Sequence, residues 1–279
     1  MKYIEKKVND VTFKVEEFDS VLEMMRIDSR REVNQYWKSV CLSDDDIRKS
    51  WQGVNTRKEA FDLLSNGWEE ASKKCMVKVN KMMYGTRVKN EFFNNVYGFT
   101  PVVPLALLNI PTNMIDVRKV QIKSKIITIV YENGGSASIS PEELLEAGLK
   151  VVNMIIRLEQ SGYRCEVKVM NGFFSKDSKI LYSPIVTVKR ANELLNLKKM
   201  MFPIAHPAWF RVIGFDWEDK APFSRYIEKR GYSFYVAVKK GLVKKDYLEK
   251  IIGDNAVYIN YETVNEDKNA LSLLLNDAV

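Results

Sequence analysis

The stretch that decides the fold runs from Lys125 to Val169 and reads KIITIVYENGGSASISPEELLEAGLKVVNMIIRLEQSGYRCEVKV. It opens with Ile126–Tyr131, a short run of mostly β-branched residues that is typical of a strand covered on both faces. Gly134 and Gly135 end this run. Two glycines at this point predict a tight turn, where the chain needs either a positive φ or a close backbone approach.

A helix is predicted directly after this turn. Ser140 can cap it, Pro141 suits its first position, and Glu143 completes a capping box. Apolar residues recur along it at helical spacing: Leu144, Leu145, Val151, Val152, Ile155, Ile156 and Leu158. Gly162 is placed to end the helix, and the alternating segment Cys165–Val169 predicts a second strand. Because a crossover helix joins the two strands, we expect a parallel β-α-β unit.

The whole chain predicts an α/β fold, namely a three-layer sheet with crossover helices, preceded by a helical N-terminal region. Residues 1–92 are expected to be helical because four Ser or Thr residues are each followed three residues later by an acidic residue. Residues 93–116 form an apolar, proline-containing loop, and residues 117–279 form the α/β core. In the core we expect strands at 117–122, 179–189, 232–238 and 256–264, and helices at 191–205, 245–252 and 266–276.

The composition is ordinary for a folded protein, with 28% charged and 46% hydrophobic residues among 279. No apolar run approaches the roughly 20 residues of a membrane span, and the N-terminus lacks the hydrophobic region of a signal peptide. We therefore expect a cytoplasmic protein that does not bind a membrane. Cys41, Cys75 and Cys165 are widely spaced, which favours neither a disulfide framework nor a metal clip.

The charge balance favours an acidic partner without identifying one. The formal net charge is +7, and the aromatic residues between Trp209 and Phe223 lie near Arg211, Arg225 and Arg230, a pattern that can stack bases and hold phosphates. The residues expected to contact nucleic acid are Arg211, Trp217, Arg225, Lys239, Lys240 and Lys244. Core packing explains most of the aromatic residues equally well, and a solvated basic surface explains the charge.

The loop from Val96 to Asp116 is apolar, yet it shows neither helical nor alternating periodicity. A loop of this kind either packs over the core or offers a docking surface to a partner protein. In the second case the expected contact residues are Val102, Val103, Leu105 and Leu107.

Few residues are available for catalysis. His206 is the only histidine, so the sequence offers few residues for a mechanism with a histidine base and too few for a metal site with several histidine ligands. A structural cap is the favoured interpretation of His206. No glycine-rich phosphate loop is present, so no nucleotide cofactor is predicted. Glu132 could bind magnesium together with the acidic group at Asp216, Glu218 and Asp219 if the fold brought them together. A solvated helix end explains that group as well, and no metal site is predicted.

The β-α-β stretch and the strand–helix units after it resemble a von Willebrand factor A domain, in particular the divergent members that accompany ring-shaped ATPases. In that family an aspartate and alternating serines bind a divalent metal at the carboxyl edge of the sheet. Ser136 and Ser138 match the serines, whereas the carboxylate is Glu132 and two glycines change its spacing. The resemblance therefore implies a fold and no intact metal site.

Four landmarks between about residue 50 and residue 219 resemble uncharacterised proteins encoded by bacteriophages and other mobile elements. These landmarks are Gly67-Trp68, Pro101–Pro104 with Asn113–Ile115, Gly134-Gly135 and His206–Arg211. This resemblance, together with the basic residues, implies a non-enzymatic protein that binds nucleic acid during replication or packaging. A protein-docking module that uses the 96–115 loop is the alternative, and a divalent-metal-dependent enzyme is the third hypothesis.

Overall fold

The computed structural model describes residues 1–33, 47–73, 88–121, 125–223, 232–243 and 256–265. The chain divides into two compact units, one comprising Met1–Lys81 with Ile126–Val279 and the other comprising Met82–Lys125. No helix in the described ranges is both long enough and apolar enough to cross a membrane.

Strands and helices alternate along much of the chain. The strands are β1 (Lys2–Val8), β2 (Val11–Phe18), β3 (Val88–Asn95), β4 (Thr100–Pro101), β5 (Met114–Gln121), β6 (Ile126–Glu132), β7 (Arg164–Met170), β8 (Phe173–Ser175), β9 (Ile180–Lys189), β10 (Tyr232–Ser233) and β11 (Ala256–Ile259). The helices are α1 (Val21–Asp28), α2 (Lys49–Gln52), α3 (Arg57–Asn66), α4 (Val103–Leu107), α5 (Pro141–Gln160), α6 (Leu197–Ala205), α7 (Phe215–Lys220), α8 (Phe234–Lys239) and α9 (Tyr261–Asn265). A π-helix, Trp209–Gly214, leads directly into α7.

The first unit is built on a mixed sheet with the strand order β1-β2-β9-β7-β6-β11, and β8 links β9 to β10. Three neighbouring pairs are parallel, namely β2 with β9, β6 with β7, and β6 with β11. The other pairs are antiparallel. The prediction of an α/β fold is confirmed in the coarser form of a mixed sheet with helices, whereas the three-layer arrangement stays a prediction.

The β-α-β unit has the predicted form. Both hydrogen bonds of the capping box between Ser140 and Glu143 are present, and Gly162 follows α5 with a φ of 88°. The residues of α5 that face the interior include most of the expected apolar stripe: Leu144, Val151, Val152, Ile155, Ile156 and Leu158. Gly135 has no positive φ, and a Cβ there would lie 2.9 Å from Ile139 Cδ1, a terminal methyl group that can move aside.

The prediction of a helical region at residues 1–92 is wrong at both ends, because the chain begins with the antiparallel hairpin of β1 and β2 and because β3 already starts at Val88. Val8 pairs with Val11 across a two-residue turn, in which Asn9 has a φ of 55°. Asparagine tolerates this left-handed conformation, and the residues of β2 alternate between the two faces as a strand requires. Helices α1 and α3 follow, and they are capped at Ser20 and Thr56 as expected.

Three C-terminal predictions are shortened by caps. The expected strand at 232–238 pairs only over Tyr232 and Ser233, because Ser233 Oγ accepts from Val236 N and starts α8. The expected strand at 256–264 ends at Ile259, where Asn260 caps α9. The expected helix at 191–205 begins at Leu197 after the Asn196 cap. The helices expected at 245–252 and 266–276 lie outside the described residues.

The second unit contains a small antiparallel sheet in the order β3-β5-β4. Strand β3 pairs with β5 along its whole length, from Val88 opposite Gln121 to Asn95 opposite Met114. The predicted strand at 117–122 therefore belongs to β5 as far as Gln121, and Ile122 lies outside the described residues. Much of the predicted 93–116 loop connects β3 to β5, and it contains β4 and α4, which begins at Val103 because Pro104 fits the first turn of a helix.

A glycine sets the contact between α5 and α6. A Cβ on Gly148 would lie 2.4 Å from Ala205 Cα, which is a backbone atom that cannot move aside without shifting a helix. Gly148→Ala should therefore lower the free energy of unfolding by about 1–3 kcal/mol through overpacking, although alanine favours an isolated helix. Urea denaturation tests this change. Glu146→Ala, at an exposed position of the same helix, is the control and should stay within about 0.5 kcal/mol of the unmodified protein. A stabilised Gly148→Ala variant would show that the two helices are not in close contact there.

Candidate functional site

Two of the residues expected to contact nucleic acid are buried. Arg211, in the π-helix, is 2% exposed, and Trp217, in α7, is 0% exposed. Lys239 and Lys240 are exposed at the end of α8. The described structure thus does not bring Arg211 and Trp217 onto a surface with these lysines. Arg225 and Lys244 lie outside the described residues.

Arg211 connects three separate segments of the first unit. Its guanidinium donates to the carbonyl oxygens of Trp51 at 2.5 Å and Ile139 at 2.6 Å, with a longer contact to that of Ser136 at 3.4 Å. It also lies 4.7 Å from the centre of the Trp51 ring. Burial lowers the pKa of Arg211 to about 10, so the guanidinium stays charged at neutral pH. The side chain holds the loop after β6 against α2.

The interpretation of His206 as a structural cap is confirmed. Its Nδ1 accepts a hydrogen bond from Ala208 N at 3.0 Å, immediately before the π-helix. The ring packs against Trp68 and Phe202, with centroid distances of 4.5 and 5.1 Å. Burial lowers the pKa of His206 to about 4, so the imidazole is neutral at physiological pH. It acts as a cap and a packing surface.

The carboxyl ends of β6, β7 and β11 meet at one edge of the sheet, the usual place for a site in an α/β fold. Glu132, at the end of β6, is 0% exposed and accepts a hydrogen bond from Tyr258 OH. Asn133 and Asn171 donate to the carbonyl oxygens of Pro203 and Trp209, respectively. In the described part of the chain, the Oδ1 atoms of both asparagines are buried without a hydrogen-bond partner. The polar side chains at this edge, Glu132, Asn133 and Asn171, are thus buried, and the two asparagines bind the backbone of neighbouring segments.

Glu132 and Asp216 are engaged by different groups, because Tyr258 binds Glu132 whereas Arg57 and Lys220 bind Asp216. Ser136 and Ser138 hydrogen-bond to each other through their hydroxyl oxygens at 2.9 Å. Among the residues that the structure describes, no group of three or more His, Cys, Asp or Glu side chains could hold a metal ion.

A cluster of charged side chains that sequence reasoning missed lies between α1, α3 and α7. Asp216 is 2% exposed, is paired with Arg57, and accepts from Lys220 at 2.6 Å. Lys220 Nζ also lies 3.6 Å from Oδ2 of Asp28, which is 7% exposed. Only the i,i+4 spacing of Asp216 and Lys220 is visible in the sequence, since Asp28 and Arg57 come from distant elements.

The two carboxyl groups of this cluster have opposite pKa changes. Burial raises the pKa of Asp28 to about 7 against the pull of Lys220, and the neighbouring Asp216 adds to the rise. Burial also opposes ionisation of Asp216, but Lys220 and Arg57 together hold its pKa below the ordinary value. Neighbouring carboxyl groups with separated pKa values are characteristic of functional sites, although structural networks produce them too.

Most of the large exposed apolar side chains belong to the second unit. We name residues 92–117 the apolar arm. Its exposed members are Phe92, Val96, Tyr97, Phe99, Val103, Leu107, Leu108 and Val117. Leu107 is 79% exposed, and from Phe92 to Ile115 the chain contains no charged residue. Of the residues predicted for docking, Val103 and Leu107 are exposed, whereas Val102 and Leu105 are half-buried.

One comparison with known proteins identifies a family. The model of a domain of unknown function, DUF7192, matches residues 6–275. The chain belongs to this family. No curated protein and no solved structure matches it. The resemblance of this DUF7192 chain to von Willebrand factor A domains and to phage proteins therefore stays a prediction.

Replacing Arg211 distinguishes a structural role from a role in nucleic-acid binding. Arg211→Met should lower the free energy of unfolding by at least about 2 kcal/mol, because buried carbonyl oxygens lose their charged donor. Arg211→Lys should recover only part of this loss, since a lysine cannot reproduce the forked contacts. Lys239→Met, at an exposed position, is the control for urea denaturation. Unchanged stability together with weakened nucleic-acid binding would contradict the structural role.

Asp28→Asn should reveal the raised pKa of Asp28 through the pH dependence of stability. Between about pH 4 and about pH 7 the native protein binds this proton more tightly than the unfolded chain, so its stability falls as pH rises and then levels off. Asparagine cannot ionise. The unfolding free energy of the variant should therefore rise relative to the unmodified protein across this window, by on the order of 1–4 kcal/mol. Asp62→Asn, at an exposed carboxyl group, is the control. A pH-independent difference for Asp28→Asn would contradict the assignment.

Proposed function

We propose that this protein is a docking module that binds a partner protein through the apolar arm. The observation that carries the proposal is the concentration of exposed aromatic and aliphatic side chains in the apolar arm, where Phe92–Ile115 contains no charged residue. Contiguous exposed apolar patches commonly mark interaction sites, whereas single exposed apolar residues do not. Aromatic side chains in such a patch often carry much of the binding energy.

The small sheet supplies a second argument. None of the described side chains from Asn90 to Lys119 is fully buried, although the segment is rich in Phe, Val and Leu. A three-stranded sheet becomes stable when its apolar face is covered. Phe92 and Val117 pair across β3 and β5 and share one face, and the Phe99 ring lies 6.2 Å from that of Phe92. A partner that covers this face would supply the missing apolar contact.

A protein partner fits this surface better than a membrane. Within the described part of the chain β3 pairs only with β5, and β4 covers only Ile115 and Met114 on the other side of β5. Strand edges carry unpaired N–H and C=O groups, which a bilayer interior cannot satisfy but a protein strand or loop can. Because Phe92–Ile115 contains no charged residue, the partner should present an uncharged, apolar face.

The nucleic-acid hypothesis has less support. Its remaining basis is the net charge of +7 and the exposed pair Lys239 and Lys240, since Arg211 and Trp217 are buried. A degenerate von Willebrand factor A core and a phage or mobile-element origin are further hypotheses, and docking through the apolar arm does not depend on either.

The test is a paired substitution in the apolar arm. Leu107→Asp combined with Leu108→Asp should weaken binding to the partner by at least about tenfold, because two unpaired carboxylates would have to lose water in an apolar interface. Both side chains are exposed, so the thermal unfolding midpoint should not change. Leu194→Asp is the matched control, since Leu194 is 67% exposed in the first unit.

The measurement has two steps. Lysate of the native host, with and without nuclease treatment, is passed over the immobilised protein and each variant, and a captured protein is then purified and titrated directly by calorimetry. Direct binding that the arm variant loses and the Leu194→Asp control keeps supports the proposal. Loss of capture after nuclease treatment favours nucleic acid. If the protein floats with anionic vesicles and the arm substitutions abolish this, the apolar arm binds a membrane instead of a protein. If it forms concentration-dependent dimers in sedimentation and the same substitutions abolish them, the apolar arm binds a second copy of this chain.

A further inference from the structure

A cavity of about 250 Å³ lies in the first unit beside the cluster that contains Asp28 and Asp216. Its wall is mostly apolar and is formed by Met24, Met25, Phe61 and Ile213, with Ser29 at its edge. For comparison, a dry protein cavity of roughly 150 Å³ is large enough for benzene. The cavity can therefore accept a small molecule with a single ring or a short alkyl chain.

The polar part of the wall is formed by Asp28, Asp216 and Lys220. Asp28 is 7% exposed, and in the described part of the chain its Oδ1 has no hydrogen-bond partner. A buried carboxyl oxygen in this condition is costly, because it has lost water without gaining a donor. It provides a built acceptor at the wall of an apolar cavity.

The cations around the cavity are already engaged. Lys220 Nζ lies 2.6 Å from Oδ2 of Asp216 and 3.6 Å from Oδ2 of Asp28, so its ion pair with Asp216 is the closer of the two. Arg57 pairs with Asp216. Both terminal nitrogens of Arg31 donate hydrogen bonds to the carboxylate oxygens of Glu16, at 2.7 and 2.8 Å. Among the described side chains Asp28 thus has no cation to itself, and it shares Lys220 with the nearer Asp216.

We propose that this cavity binds a small organic cation, with the ammonium group on Asp28 and the apolar body among Met24, Met25 and Phe61. The ammonium would donate to the Asp28 carboxylate and add a counter-charge to that of Lys220, which Asp28 shares with Asp216. Methionine side chains adapt to irregular apolar shapes, and the face of a phenylalanine attracts a cation. An anion is disfavoured because two carboxyl groups face the cavity and Lys220 is engaged by both.

Binding of such a cation should be linked to release of a proton. Burial, with a contribution from Asp216, raises the pKa of Asp28 to about 7, so the empty cavity holds Asp28 partly protonated at neutral pH. Arg57 and Lys220 keep Asp216 ionised. The ammonium competes with the proton on Asp28, so affinity should rise with pH through about 7 and level off above it.

The test is calorimetric titration of the full chain with benzylamine and with benzyl alcohol, which has a similar shape but no charge. Benzylamine should bind at least about tenfold more tightly than the alcohol, because only the amine can pair with a carboxylate. Since benzylamine is protonated throughout, its affinity should increase by up to about tenfold between about pH 6 and about pH 8. Titration in two buffers of different ionisation enthalpy should show release of up to one proton at the lower pH.

Two substitutions complete the test. Asp28→Asn should abolish both the preference for the amine and the proton release, whereas Asp62→Asn, at an exposed carboxyl group one residue from Phe61, should leave both unchanged. Absence of benzylamine binding at about pH 8, equal affinity for the alcohol, or benzylamine binding without proton release at about pH 6 would each overturn the proposal. All three measurements use the unmodified protein, so they decide the question even if Asp28→Asn does not fold.

Discussion

The parallel pairing of β6 with both of its neighbours is the constraint on which the first unit depends. A parallel neighbour cannot be reached by a tight turn, so the chain crosses over through α5 before it returns as β7. The carboxyl ends of β6, β7 and β11 consequently meet at one edge, and Glu132, Asn171 and Asn260 occur there. The chain must leave β6 across this crowded edge. Arg211 makes that exit possible because its guanidinium satisfies carbonyl oxygens of the loop.

Buried charges in the first unit follow the rule that a charge removed from water needs partners. Lys189 and Glu159 form a buried pair at 2.7 Å, and Glu16 accepts from Arg31 and from Trp217. Asp28 meets the rule less completely, which is why its neutral form is favoured. The second unit differs, because its connection from β3 to β5 contains no charged residue. The buried charges described above thus lie in the first unit, whereas most of the large exposed apolar side chains lie in the second.

Local signals in the sequence predicted local structure well. The capping box at Ser140, the helix end at Gly162 and the cap at His206 each depend on neighbouring residues, and each is present. The hairpin at the N-terminus was not predicted, because the Ser and Thr helix-start patterns of residues 1–92 favoured helices, although the residues of β2 alternate between its two faces. Burial of Arg211 was not predictable, because its carbonyl partners come from α2 and from the loop after β6. The pairing of Asp216 with Arg57 is equally a property of the tertiary structure.

The apolar arm keeps a defined shape although it has no fully buried side chain. A Cβ on Gly98 would lie 2.1 Å from Ile115 O, so the backbone approaches closely there, and Phe99 N donates to the same carbonyl oxygen at 2.9 Å. Val102 N donates to Asn113 O at 2.7 Å, which closes the connection around α4. The apolar side chains are therefore displayed on a fixed backbone, and a fixed surface loses less conformational entropy when it binds. Leaving the same surface in water is unfavourable. Together, low ordering cost and gain from burial favour association through the apolar arm.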